Sequence, residues 1–516
     1  MTQIRYIFIF FSIFSAIFCK TKDDIIKHME EFEKTILKVK DDYRAPGFAL
    51  AIVKDGEIIY KKSFGQRENG KKDLITNDTV FQIASLSKTF LTFVIAQLVE
   101  EGLLSWDTPV CKYLPEFALN NEEVTKSATL LDLITHRIGL PSFSGDTIWH
   151  LGFSDLELLK NLKNLKLKYK IGEHYGYQNH MFGAASIIVE RVTKKTIEQI
   201  FNERIFTPLK MKNASVGLKH LQPKFFGLSK PNVALPHDVR DGKIYTKTFN
   251  KKTFLFEGST GVNLSLDDAA KWIQFLVNDY TFEGKSFLKP ETISFLRTSK
   301  VPCHFKDDDL QFPKERISEA FYDVGMFENK YGSVKLYSHM SGFSGVRGYL
   351  CFIPSEKLGV IMLSNYGGMR CSLMPEVIKG FFLDWYLDLP KIDWLEKIAG
   401  TEKKIRQIYT NNRINGRMYA PAATRNLTEY EGVYEHPFYG DVTIKQEEGQ
   451  LKLIYRDIIA SVHHWNADQF FIKPYELSET YGDYDFCPLF FVLNPKEKTK
   501  IYIGQMYEGR EYLEKK

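Results

Sequence analysis

From Asp23 to Asp42 the apolar side chains Ile25, Ile26, Met29, Phe32, Ile36 and Val39 recur three or four positions apart, the spacing of one face of an α-helix laid on a core. A helix is therefore predicted over residues 23 to 42, with Pro46 and Gly47 ending it. The pattern then changes to FALAIV and EIIYKKSFG, two strand-like runs joined by Asp55-Gly56, a dipeptide that tolerates the φ > 0 positions of a tight hairpin. Between about 85 and 300 the clearest segments are helical: DLITH, MFGAASIIVERV, IEQIFNERI and DDAAKWIQFLV. Strand patterns return in KLYSHM, RGYLCFI and LGVIMLSN, followed by a helix around MPEVIKGFFLDWYL. Strands from both ends with helices between them predict an antiparallel sheet packed between helices, an α+β layered domain.

After Pro390 the pattern weakens. Residues 391–425 are basic and polar and are read as a connecting helix and linker. From Asn426 to Lys516 short alternating runs separated by turn residues predict a small β-sandwich or barrel. The expected organisation is thus a leader over 1–19, a layered domain over 20–390, a linker over 391–425 and an all-β domain over 426–516.

One stretch breaks the ordinary alternation. In FQIASLSKTF, residues 81 to 90, Ser85 and Lys88 stand one helical turn apart, just before an apolar run (Phe90, Leu91, Phe93, Val94, Ile95, Ala96, Leu98, Val99) that stops at Gly102. The two side chains share a helix face. A serine hydroxyl is a poor nucleophile until a base takes its proton. At the start of a helix the backbone dipole favours developing negative charge, and a lysine among apolar neighbours favours the neutral amine that accepts a proton. The spacing alone means little: Ser286 and Lys289 repeat it before Pro290 with no comparable buried helix.

Composition narrows the classes. At 516 residues with 44% hydrophobic and 26% charged residues, the chain is globular and too long for one ordinary core. A net charge of +5 is weak and scattered, and no nucleic-acid motif is present, so nucleic acid is not an expected partner. His136, His174, His180, His463 and His464 lack metal-ligand spacing and no C-x-x-C occurs, so neither a metal nor another cofactor is expected. Gly342-Phe343-Ser344-Gly345-Val346 nearly spells G-x-S-x-G but ends in valine with no strand-to-helix turn after it, which argues against an α/β-hydrolase.

The N-terminus reads MTQIRYIFIFFSIFSAIFC, one arginine and then an uncharged run from Tyr6 to Phe18. This is shorter than the about 20 residues a membrane helix needs, so a cleaved signal peptide and a secreted or secretory-lumen protein without a later membrane span are expected. N-x-[ST] triplets at Asn77, Asn213, Asn263 and Asn426 are glycosylation candidates consistent with that route. Of six cysteines, cleavage after Cys19 leaves an odd number, so at least one free thiol or intermolecular bridge is expected.

Downstream of Ser85 and Lys88 lie Tyr177-Gln178-Asn179 and, in YSHMSGFSGVRGYLCFIP, His339. In this order the chain resembles the serine β-lactamase and penicillin-binding-protein superfamily, particularly class C β-lactamase-like esterases and D-alanyl-D-alanine carboxypeptidases. The resemblance runs from about Tyr43 to Asn365 and includes PGFALAIVKDGEIIYKKSFG, LLDLITHRIGLP, FTPLKMKNASV and GVNLSLDDAAKW. A second Y-x-N at Tyr409–Asn411 and an H-x-G at His150–Gly152 fall out of order, without such flanks.

The resemblance implies that Ser85 forms an acyl-enzyme and that Lys88 and Tyr177 share the proton work. Which of them is the base stays open. Tyr177 could serve only if flanking cations lower its pKa, with Lys88 and His339 as the candidates. Asn179 would orient Lys88 and bind the substrate amide or ester. The third motif departs from the family, because Ser341 stands where glycine is usual. A register at Met340-Ser341-Gly342 restores the glycine and loses the basic residue; His339 is preferred because Gly345 and Pro354 then fall at the usual distances. The oxyanion hole would be the backbone N–H groups of Ser85 and Gly342. The C-terminal region, through YEGVYEHPFYGDVTI, resembles a lipocalin-like β-barrel appended to some members. The expected protein is an exported serine hydrolase acting on an ester, amide or D-amino-acid peptide, with a catalytically weak binding or scaffold protein as the alternative. Its expected partner is a small-molecule or peptide substrate; oligomeric state is left open.

Overall fold

The computed structural model describes residues 20–516 except 147–151, 222–230, 241–242, 250–253, 255, 306–308, 310, 344, 368–372, 405–406, 408–421, 474–486, 494–496 and 504–511. The expected signal peptide and much of the expected linker lie outside the described residues, as do Cys371, His150 and Tyr409.

Helix α1 (Lys22–Asp42) opens on a Thr21–Asp24 capping box and buries Ile25, Met29, Phe32, Ile36 and Val39, leaving Ile26 exposed. The hairpin β1 (Gly47–Lys54) and β2 (Glu57–Gly65) follows as the sequence predicts. The later strands are β3 (Val301–Pro302), β4 (Ile317–Tyr322), β5 (Phe327–Tyr331), β6 (Val334–Phe343), β7 (Val346–Ile353) and β8 (Leu358–Ser364). They form an eight-stranded antiparallel sheet in the order β3-β4-β5-β6-β7-β8-β1-β2.

Because side chains alternate across a strand, β1 serves two cores. Ala49, Ala51 and Val53 face one, whereas Phe48, Leu50 and Ile52 face the other. The first core holds α2 (Ser87–Glu100), α3 (Asn179–Thr193) and α4 (Leu266–Val277); the second holds α1 and α5 (Met374–Tyr386). The first three strands of this sheet carry little alternation and escape the sequence pattern. So do the short strands Val80–Gln82, Val262–Ser265 and Ser215–Val216, which pair into a small sheet inside the mainly helical middle.

The C-terminal region is a closed eight-stranded barrel running from Gly432–His436 to Leu513–Lys515. Its alternating residues Val442, Ile444, Leu451 and Leu453 fill the interior. The chain thus has the expected layered α+β fold followed by an all-β barrel. Among the described residues no helix is long and apolar enough to cross a membrane, and Cys111, Cys303 and Cys351 are free thiols.

Candidate active site

Helix α2 is apolar on nearly every side, and eleven of its fourteen residues are buried, as expected for a helix through the middle of a core. Gly102, at φ +72°, ends it with its N–H on the Val99 carbonyl (3.0 Å), a turn that suits glycine. At the other end Ser85 sits in a single 3-10 turn, Ala84–Leu86, that leads into the helix. Ala84 adopts φ +44°, an unfavourable conformation for a residue with a side chain. Ser87 holds it there: its Oγ donates to the Ala84 carbonyl (2.6 Å) and accepts the Val262 N–H (3.0 Å). The small sheet through Val262 therefore fixes the orientation of the Ser85 turn.

Tyr177 and Asn179 come from the extended segment entering α3. Gln178 has φ −137° and ψ 118°, so its two neighbours point to the same side. Gln178 itself points away, onto the Pro141 carbonyl. The segment is held by Gln178 N–H donating to His136 Nδ1 (3.1 Å), Gly176 N–H to the His136 carbonyl (2.8 Å) and Phe143 N–H to the Tyr177 carbonyl (2.7 Å).

These segments converge on one oxygen. Ser85 Oγ lies 3.1 Å from Lys88 Nζ and accepts a hydrogen bond from the Tyr177 hydroxyl at 2.9 Å. Lys88 Nζ also reaches Asn179 Oδ1 (2.7 Å) and the Ser259 carbonyl (3.3 Å). Asn179 Nδ2 in turn donates to Asp146 Oδ2 (2.6 Å), and His180 Nδ1 meets the other oxygen of Asp146 at 3.0 Å. Four residues that the sequence singles out, spread from 85 to 179, thus form one connected cluster.

Burial sets the charges. Lys88 is fully enclosed, with its nitrogen 5.0 Å from the Tyr177 ring centre and 5.4 Å from that of Phe182. Desolvation brings its ammonium down to about 7, against a smaller upward pull from Asp146. The Tyr177 phenol is pushed above its ordinary value by burial, and its bond to Ser85 only partly offsets this. His339 is brought down to about 3, first by burial and then by the nearby Lys88. The condition for Tyr177 to act as a base is not favoured: desolvation shifts the candidate cations Lys88 and His339 toward their neutral forms and raises the phenol.

His339 stands beside the cluster, its ring centre 6.4 Å from that of Tyr177. Its Nδ1–H donates to the Met340 carbonyl (2.7 Å), which leaves Nε2 to accept from the Tyr322 hydroxyl at 3.4 Å. Strand β5 pairs with β6 only as far as Ser338, so residues 339 to 343 run past it with an open edge toward the cluster. Gly342 lies on that stretch. Ser341 does not crowd it: the side chain is buried, and a Cβ built on Gly348 across the strand pair would meet its Oγ at 2.7 Å. The missing side chain at 348 makes the room that serine needs.

The second S-x-x-K is remote in kind. Ser286 and Lys289 are exposed, and Ser286 Oγ donates to the Leu288 carbonyl. Among the glycosylation candidates Asn213 and Asn426 are exposed and Asn77 is half-buried. Asn263 is a correction: it is fully buried in the small sheet, and its amide nitrogen donates to Ser215 Oγ and the Gly217 carbonyl, so the fold has no room for a glycan there.

Sequence reasoning missed Asp146, the Ser259 carbonyl, and the placement of His136 under Tyr177 with ring centres 4.5 Å apart. A lone aspartate in a loop carries no periodic signal. The flank LLDLITHRIGLP does contain His136, and its resemblance was the available hint.

A family model described as Beta-lactamase matches residues 25–371. The chain is 25% identical over 467 residues to unguisins hydrolase ungD' of Aspergillus campestris, covering 85% of this chain and 81% of that protein. It is 25% identical over 338 residues to Protein flp of Staphylococcus aureus, covering 65% of this chain and 62% of that protein. Among solved structures it resembles the octameric penicillin-binding protein homologue from Pyrococcus abyssi, with a TM-score of 0.60 at 20% identity over 94% of this chain and all of that one.

Proposed function

Because the chain belongs to the beta-lactamase family, we propose that it is a serine hydrolase working through an acyl-enzyme on Ser85. One observation carries this reading. A neutral lysine amine has two N–H donors and one lone pair, and Lys88 has three partners. The Asn179 oxygen and the Ser259 carbonyl can only accept, so they take both N–H bonds. The lone pair is left for the proton of Ser85.

The steps follow from that geometry. Lys88 accepts the Ser85 proton as Oγ attacks the substrate carbonyl, forming the C–O bond of a tetrahedral intermediate. The backbone N–H groups of Ser85 and Gly342 receive the oxyanion, the latter from the open edge of β6. Tyr177, protonated and already donating to Oγ, passes its proton to the departing amine or alkoxide and regains one from the Lys88 ammonium. A water molecule then attacks the acyl carbonyl with Lys88 again taking the proton; the C–Oγ bond breaks, Lys88 returns the proton to Ser85 Oγ, and the acid is released. No step calls for a metal.

Substrates are carbonyl compounds open to such attack: esters, amides or D-amino-acid peptides. Export through the N-terminal segment is part of the same proposal, supported by the exposed sequons at Asn213 and Asn426. Incubation with a fluorophosphonate or penicillin followed by intact-mass analysis should show one adduct, absent from Ser85→Ala. No adduct under any such reagent and no hydrolysis of an ester and D-peptide panel, with saturable ligand binding that survives Ser85→Ala, would overturn the assignment and leave a binding or scaffold role.

A further inference from the structure

The Lys88 lone pair faces Ser85 only while Asn179 presents its oxygen, not its NH2, to Lys88. That orientation is set by Asp146, whose carboxylate accepts from Asn179 Nδ2 at 2.6 Å and meets His180 Nδ1 at 3.0 Å. A flipped amide would set an N–H against the carboxylate-facing side of Lys88 and an oxygen against Asp146. Asp146 is held in turn through its own loop.

The neighbouring residue is Gly145, at φ +79°, and a Cβ there would meet Phe438 Cζ at 2.7 Å and Leu165 Cδ1 at 3.3 Å. Phe438 belongs to the barrel's first hairpin and is fully buried. The barrel makes further contacts on the same stretch. Asn164 Nδ2 donates to the Pro437 carbonyl at 2.8 Å, Arg456 lies 4.2 Å over the Phe153 ring, and its Nη2 is 3.5 Å from Glu157 Oε1. Two barrel hairpins therefore grip both flanks of the loop that carries Asp146.

We propose that the C-terminal barrel is a positioning element of the active site: Phe438, seated against Gly145, keeps Asp146 on Asn179 and thereby keeps the Asn179 oxygen on Lys88. The inference rests on the proposed role of Ser85 and Lys88. Gly145 is the joint of this device, since only a residue without a side chain lets the aromatic ring reach the backbone beside the carboxylate. Asp146 and Phe438 touch no reacting atom; both act through Asn179. The ionisable groups facing Lys88 are Tyr177, His136, His339 and, through Asn179, Asp146. Among these named groups Asp146 is the carboxylate and the one that favours the ammonium.

The test is the kcat/KM pH profile of the full chain on p-nitrophenyl acetate, for Phe438→Ala, Phe438→Leu, Asp146→Asn and the double variant Phe438→Ala/Asp146→Asn. Withdrawing the carboxylate leaves the Lys88 ammonium less favoured, so the acidic limb should move to lower pH in both Phe438→Ala and Asp146→Asn. In both, kcat should fall about 10- to 100-fold through misplacement of Lys88. The double variant should be no slower than Asp146→Asn alone, and Phe438→Leu should restore the wild-type limb. If Phe438→Ala does not fold, Asn164→Ala/Arg456→Ala, which spares the barrel interior, should give the same shift to a smaller extent. A folded Phe438→Ala enzyme with an unmoved limb, or losses that multiply in the double variant, would overturn the inference. Fluorophosphonate labelling separates the two readings: a Ser85 adduct with no shift rejects only the barrel's role, whereas no adduct and turnover surviving Ser85→Ala reject the catalytic assignment itself.

Discussion

The Tyr177 hydroxyl lies 2.9 Å from Ser85 Oγ and is the donor of that bond, because burial holds the phenol protonated. In the proposed mechanism it approaches Ser85 as an acid, while Lys88 approaches it as a base. Tyr177→Phe should lower kcat by about 10²- to 10⁴-fold, the usual scale of one general-acid contribution. Fluorophosphonate labelling of Ser85 should persist, because a good leaving group needs no proton. Steady-state and labelling rates on the same preparation check this split.

In the proposed mechanism the acid limb of activity belongs to Lys88. Its ammonium sits at about 7, so below that pH the amine is protonated and cannot take the Ser85 proton. The rate should rise about tenfold per pH unit up to about 7 and level off above it, as for one essential base. His339, at about 3, stays neutral across this range and adds no second limb. A kcat/KM profile from pH 5 to 9 with a single inflection is the expected result.

The same lysine weakens the fold. The unfolded chain binds the Lys88 proton up to about 10.5, whereas the folded chain releases it above about 7. Between those values the unfolded state holds more protons, so this group makes stability rise with pH, by up to about 1.4 kcal/mol per unit. Below about 7 both states are protonated and its cost is constant. Urea unfolding of wild type and Lys88→Met at pH 7, 8 and 9 should show the wild type gaining on the variant at each step.

Behind the sheet, Asp384 accepts from Arg316 Nε (2.6 Å) and Nη2 (2.8 Å), Tyr331 OH (3.1 Å) and Trp394 Nε1 (2.8 Å). Both members of the ion pair are buried. Asp384→Ala strands the guanidinium and should destabilise by about 3–5 kcal/mol, lowering the denaturation midpoint, while the folded fraction still labels at Ser85.

Much of this site can be read from the sequence because its parts obey local rules. Ser85 and Lys88 share a face by helical spacing, and Tyr177 and Asn179 share one by extended spacing. The β1–β2 hairpin and the two-sided burial of β1 follow from a turn dipeptide and an unbroken apolar run. What escaped is set by tertiary contact. Asp146 acts across 33 positions, and the strained Ala84 is visible only once Ser87 and Val262 are seen to pin it. Strands such as Ser215–Val216 are too short to alternate. The neutral state of His339 depends on enclosure, which residue type does not reveal.

Strand β1 lies between β2 and β8, and its partner residues 358 to 364 are made roughly 300 positions later. At a ribosomal pace of about 5–20 residues per second, the N-terminal hairpin waits about 15 to 60 seconds before that edge can close. During the wait it offers an unpaired row of amides and two greasy faces to any neighbouring chain. The nascent hairpin is therefore open to mispairing until the eighth strand arrives.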